Sequence, residues 1–247
     1  MSDAASSPAK RARTDTGDAA ASASSGADAK PILYSYWRSS SSWRVRIALE
    51  SKGIKYEYRA IHMLKDGGEQ LKDDYAALNP MRQVPTLIVD GHTLTQSMAI
   101  IEYLEETRPS EGASLLPGNA VQRAEVRAIA QMISCDIQPI QNLRVLKKVM
   151  SEVEGADAKN AKKLAWGKWA IETGFGGVEA AITKTAGKFA FGDTITLIDV
   201  ALVPQVYNAG RFGVDMTAYP TIARVAAAAA EEAAFKAADP AVMPDSA

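Results

Sequence analysis

Cysteine is almost missing: Cys135 stands alone in 247 residues, which excludes an intrachain disulfide and fits a reducing compartment. Histidine is nearly as scarce. His62 and His92, even taken with that one thiol, have no metal-ligand spacing, so no metal is expected. Neither sign of charge is in excess, since 28 basic and 29 acidic side chains leave a formal net charge of -1. Without a global basic field, nucleic acid is not expected as a partner. No apolar run approaches the roughly 20 residues of a membrane helix, and the first residues are polar. Neither a span nor a secretory signal is expected, and the chain reads as cytoplasmic.

What is present divides the chain in three. Residues 1–29 hold Ala, Ser, Asp and Gly with no aromatic and no branched aliphatic side chain, too little apolar surface to fold, and read as a disordered tail. Its basic residues Lys10, Arg11 and Arg13 are interrupted by alanine and followed by Asp15, which suits solvated tail better than a nuclear signal. Residues 30–109 alternate strand and helix. A strand is expected over 31–36, a helix over 41–52 with Val45, Ala48 and Leu49 on one face, and a second strand over 56–61. A hairpin over 85–89 and 93–95 follows, turning on Asp90-Gly91. Ala99, Ile100, Tyr103 and Leu104 then form a helical stripe that stops before Pro109. After a Pro-, Gly- and Ser-containing linker over 109–118, residues 119–240 read as helices, expected over 120–150, 160–185, 197–212 and 221–237. The fold class is an α/β domain followed by an all-α domain.

Chemistry concentrates where the first strand meets its helix. Arg38 leads into Ser39, Ser40, Ser41 and Ser42, and the helix behind them carries Arg44 and Arg46. One serine suffices as a cap; the rest, with free helix N–H groups and a positive dipole end, suit an anion. Gln96-Ser97 offers an amide, a hydroxyl and another helix start, which suits a carboxylate. Val84-Pro85, if cis, would present the Val84 backbone to an extended ligand. By contrast Thr196 and Asp199 make a capping box, with Ile195 and Val200 as its staple, and carry no chemistry.

The run Ser39-Ser40-x-Ser42-Trp43-Arg44-Val45-Arg46-Ile47-Ala48-Leu49 is joined in order by three others: Asn79-Pro80-Met81-Arg82-Gln83-Val84-Pro85, Gln96-Ser97-x-Ala99-Ile100, and Ile137-Gln138-Pro139-Ile140-Gln141-Asn142-Leu143. Together they resemble the zeta class of glutathione transferases, over about residues 31 to 239. The resemblance implies a thioredoxin-like glutathione-binding domain over 30–109, an all-α partner domain over 119–240, and a homodimer. It implies that Gln96 and Ser97 take the γ-glutamyl carboxylate, that Val84 before a cis Pro85 pairs with the cysteinyl backbone, and that Gln70 lies beside the glycyl end. Gln138, Asn142, Leu143 and Arg144 would reach in from the first long helix. Arg211 resembles the arginine that receives a substrate carboxylate; Arg38 and Arg44 are the next candidates, with a surface or capping role as the alternative for each.

The implied activity is the glutathione-dependent conversion of maleylacetoacetate, a small dicarboxylate, to fumarylacetoacetate in tyrosine and phenylalanine catabolism. Ser39, Ser40 and Ser41 would be the catalytic group, Ser39 donating to the glutathione sulfur. One departure stands at the centre: the class reads Ser-Ser-Cys where this chain has Ser39-Ser40-Ser41. A serine without a nearby base is not a nucleophile at neutral pH, so the attacking sulfur is glutathione's. The alternatives are a transferase or dehalogenase acting on small α-halo acids, and a non-catalytic glutathione-fold interaction module.

Overall fold

The structure, a computed structural model, describes residues 29–246. All but the last residue of the expected tail, with Lys10, Arg11 and Arg13, lies outside the described residues. Four strands, β1 (Ile32–Ser35), β2 (Glu57–Ala60), β3 (Thr86–Val89) and β4 (His92–Thr95), make one sheet in the order β2-β1-β3-β4. β1 runs parallel to β2, as a helical crossover requires, and antiparallel to β3. The β3–β4 hairpin turns on Asp90-Gly91, both at positive φ (53 and 75°), the conformation that suits Asp-Gly.

Alternation along β1 sends its side chains to two different cores. Leu33 faces α1 (Ser40–Ser51) and α3 (Ser97–Thr107) in the main core, whereas Tyr34 packs with Tyr36, Tyr75 and Val84 beneath α2 (Asp73–Leu78). α1 is enclosed nearly all round: Trp43 through Leu49 are all buried, including both arginines. On α3 the buried stripe is Ser97, Ile100, Ile101 and Leu104. Ala99, expected in that stripe, is exposed because the apolar face is one step further round, at i, i+3, i+4 and i+7.

The second half is helical: α4 (Ala120–Gln131), α5 (Leu143–Met150), α6 (Ala156–Ile182), α7 (Leu197–Arg211), α8 (Pro220–Ala230) and α9 (Ala233–Ala237). The helix expected over 120–150 is broken. α4 widens into a π-turn over Met132–Ile137, Pro139 supplies no N–H, and the chain restarts at α5, where Asn142 Oδ1 accepts from Arg144 N at 3.1 Å. The alanine-rich helix is likewise two pieces, turned at Glu231 and Glu232, and the second buries Phe235. α6 approaches its neighbours closely at two glycines: a Cβ on Gly167 would collide with the Phe212 ring, and one on Gly174 with Ile137.

The capping box is present and opens α7, a helix buried along most of its length. Asp199 Oδ2 accepts from Thr196 N, and Oδ1 from Ala190 N, both at 2.9 Å. Burial pushes this carboxyl above the ordinary range while those N–H groups pull it back. Asp199→Ala orphans two buried N–H groups at about 1–3 kcal/mol each. A loss of about 2–6 kcal/mol in urea unfolding is expected, and an unshifted midpoint would show that α7 does not depend on the box.

Candidate functional site

A cleft of about 420 Å³ opens between the β1–α1 junction and the helical half. Its near wall is the loop from Tyr36 to Ser40. Ser39 is the N-cap of α1: its Oγ accepts from Ser42 N at 3.2 Å, and its N–H donates to Tyr36 O at 3.0 Å. With the oxygen engaged by the helix, the Ser39 hydroxyl hydrogen remains free to donate. The loop is held from behind by Arg46, which donates to Trp37 O (2.9 Å), Tyr36 O (3.4 Å), Ser35 Oγ (3.2 Å) and Ala238 O (3.0 Å). From the chain's other end, Asp245 accepts from Trp37 N at 3.1 Å and from the Tyr58 hydroxyl at 2.6 Å.

The far wall comes from the helical half. Gln138, Gln141 and Asn142 follow the π-turn; Leu143, Leu146, Lys147 and Met150 form one stripe of α5; Lys163 and Leu164 come from α6, and Asn208, Arg211 and Phe212 from the end of α7. Arg211 donates to Asn208 Oδ1 at 3.3 Å and lies over the Phe212 ring. Burial, then repulsion from Arg38, holds its pKa below the usual arginine value. Arg38 sits over the Trp37 ring, 5.2 Å from its centroid. Arg38, Lys147, Lys163 and Arg211 all line the cleft, and among the described residues no carboxylate side chain does. Such a wall attracts an anion.

The structure thus brings Arg38, Ser39, Ser40, Gln138, Asn142, Leu143 and Arg211 together. It corrects other expectations. Ser41, in the first turn of α1, does not line the cleft, because Ser39 and Ser40 occupy the turn that faces it. Arg44 points into the protein, 1% exposed, and reaches no substrate cavity. Arg144 is exposed on the outer side of α5, and its backbone N–H rather than its guanidinium serves Asn142. Gln138, Asn142 and Arg144 do not share one long helix. Gln70 is buried behind the cleft wall, its amide donating to Met63 O at 3.4 Å.

Val84, Pro85, Gln96 and Ser97 do not line the cleft. The Val84-Pro85 peptide is cis, and Val84 packs against Tyr36, which lines the cleft. Gln96 caps α3 at φ 70°, a conformation unusual for a residue with a side chain, and Ser97 begins the helix. Lys147 and Lys163 escape the motifs, although the Leu143, Leu146, Lys147, Met150 spacing marks one face of a helix.

Residues 29–106 match the family described as glutathione S-transferase, N-terminal domain. The chain is 53% identical over 196 residues to a maleylacetoacetate isomerase of Dictyostelium discoideum, covering 79% of this chain and 87% of that one. A holo structure of a bacterial zeta-class maleyl pyruvate isomerase superposes with a TM-score of 0.81 at 47% identity, covering 87% of this chain and 100% of the other. A maleylacetoacetate isomerase from Anaeromyxobacter dehalogenans, with glutathione in its active site, gives 0.77 at 45% identity over 88% and 98% of the two chains.

Proposed function

The chain belongs to the maleylacetoacetate isomerase family of glutathione transferases, and from that premise we propose that its cleft isomerises maleylacetoacetate to fumarylacetoacetate with glutathione as cofactor. The observation that carries this reading is the cleft wall: among the described residues, four cations and no carboxylate side chain, facing a serine-capped helix N-terminus. The chain's residues fit glutathione. Ser97 begins a helix, and behind it Arg44 has two guanidinium nitrogens, Nε and Nη2, that find no partner among the described residues. An acidic peptide end docking there would meet positive potential with nothing to neutralise it. Residues 30–109 then form the glutathione-binding domain and 119–240 the helical domain that supplies the substrate side. The proposed location is cytoplasmic.

When bound, glutathione would supply a thiolate able to add reversibly to the cis double bond, so that rotation about the bond and loss of the same thiolate would give the trans isomer. Ser39 donates to the sulfur and, with the start of α1, favours its ionised form. Arg211 and Arg38 receive the substrate carboxylates and fix the substrate's orientation. Charge that develops on the conjugated oxygen is stabilised by the cationic wall, so no general base is required of the protein.

Turnover of maleylacetoacetate with glutathione and none without it is the expected result. Arg211→Ala should lower kcat/KM about ten- to a hundredfold and leave glutathione affinity nearly intact, since a lost hydrogen bond between charged groups is worth roughly 1.5–3 kcal/mol. Glutathione binding without turnover of maleylacetoacetate would instead favour α-halo acids as substrates or a non-catalytic module, and an equal loss of glutathione affinity would move Arg211 to the cofactor. A homodimer is proposed as the assembly; light scattering should give twice the 26.4 kDa of the chain.

Ser39→Ala removes both the donor to sulfur and the cap of α1, so a stability loss of about 1 kcal/mol accompanies it. Its kinetic signature is separate. With the thiol pKa raised, less thiolate is present at neutral pH, turnover falls about tenfold or more, and part of the rate returns as pH rises. Parental turnover at pH 7 would transfer the role to Ser40.

A further inference from the structure

Among the described residues, Arg44 is a buried cation without a counter-ion. Its side chain leaves α1 toward the start of α3, where Nη1 donates to Ser97 Oγ at 3.4 Å, while Nε and Nη2 find no partner among the described residues. Burial pushes its pKa down to about 10, so it remains charged at neutral pH. Among the described residues no carboxylate pairs with it. An arrangement of this kind costs stability in the free protein, because a desolvated guanidinium is left without the anion it needs.

We propose that Arg44 is a positioning residue for the γ-glutamyl carboxylate of glutathione. Arginine only donates, so Ser97 Oγ must accept from it, and the Ser97 hydroxyl hydrogen is thereby turned outward to an incoming carboxylate. The unneutralised charge adds to the positive end of α3, and the carboxylate supplies the missing counter-charge without touching Arg44. The inference rests on the proposed docking of glutathione at Gln96 and Ser97, and it adds a residue that acts through Ser97.

The test compares two peptides, glutathione and γ-aminobutyryl-cysteinyl-glycine, which lacks only the γ-glutamyl carboxylate, by titration calorimetry on the intact chain. The parent should prefer glutathione, and in Arg44→Met that preference should shrink about tenfold while affinity for the decarboxylated peptide stays within about twofold. Arg44→Lys should restore part of the preference. Weakening of both peptides in equal proportion means a purely structural role and overturns the proposal. Equal binding of both peptides by the parent overturns the carboxylate docking itself, which separates that failure from one confined to Arg44. Should Arg44→Met not fold, Ser97→Asp carries the test by placing a carboxylate beside the guanidinium and the helix N-terminus. It should raise the thermal midpoint and erase the preference for glutathione; a lowered midpoint with the preference intact overturns the proposal.

Discussion

Burial of α1 nearly all round is the constraint on which the loop facing the cleft depends. A helix with one wet face lets its charged side chains escape into water; this one has α3, α7 and α9 around it and shares the main core with Leu33, Leu87 and Val89 of the sheet. Arg46 must therefore find acceptors within the protein, and it finds them in the carbonyls of Tyr36, Trp37 and Ala238 and the hydroxyl of Ser35. Because a guanidinium is planar and donates in fixed directions, satisfying it fixes the path of the loop that ends in Ser39. The same demand draws in the end of the chain, where Asp245 takes the Trp37 N–H. Lys52, closing the helix, meets it with Glu105 at 2.9 Å and the Arg108 carbonyl at 3.2 Å. The loop that faces the cleft is thus held by groups that never enter it.

Local patterns made much of this legible. The strand–helix–strand start, the Asp90-Gly91 hairpin and the Asp199 capping box each depend on neighbours within a few residues. So does the helix start at Gln96-Ser97, and all stand where the sequence places them. Long-range enclosure was not legible. Arg44 reads as a cleft cation because charge on a helix normally reaches water, yet the apolar residues at 43, 45, 47, 48 and 49 leave α1 no polar face. Pro139 carried the break that divides the helix expected over 120–150, but apolar spacing continues through the π-turn and hides it. The alanine run reads as one helix by propensity, and the burial of Phe235 decides otherwise.

The same enclosure bears on the serine that stands in place of the class's usual cysteine. Ser39 caps the helix, Ser40 faces the cleft, and Ser41 falls in the first turn outside the cleft lining. A thiol at position 41 would sit near the helix N-terminus, where its pKa falls, but outside the cleft lining that holds Arg38 and Arg211. The chain's own thiol, Cys135, lies on the π-turn and does not line the cleft either. Sulfur chemistry in the cleft then depends on a sulfur brought by the ligand. What the protein has to provide is a hydrogen bond, a helix dipole and cations at fixed places, and serine at position 41 takes none of these away.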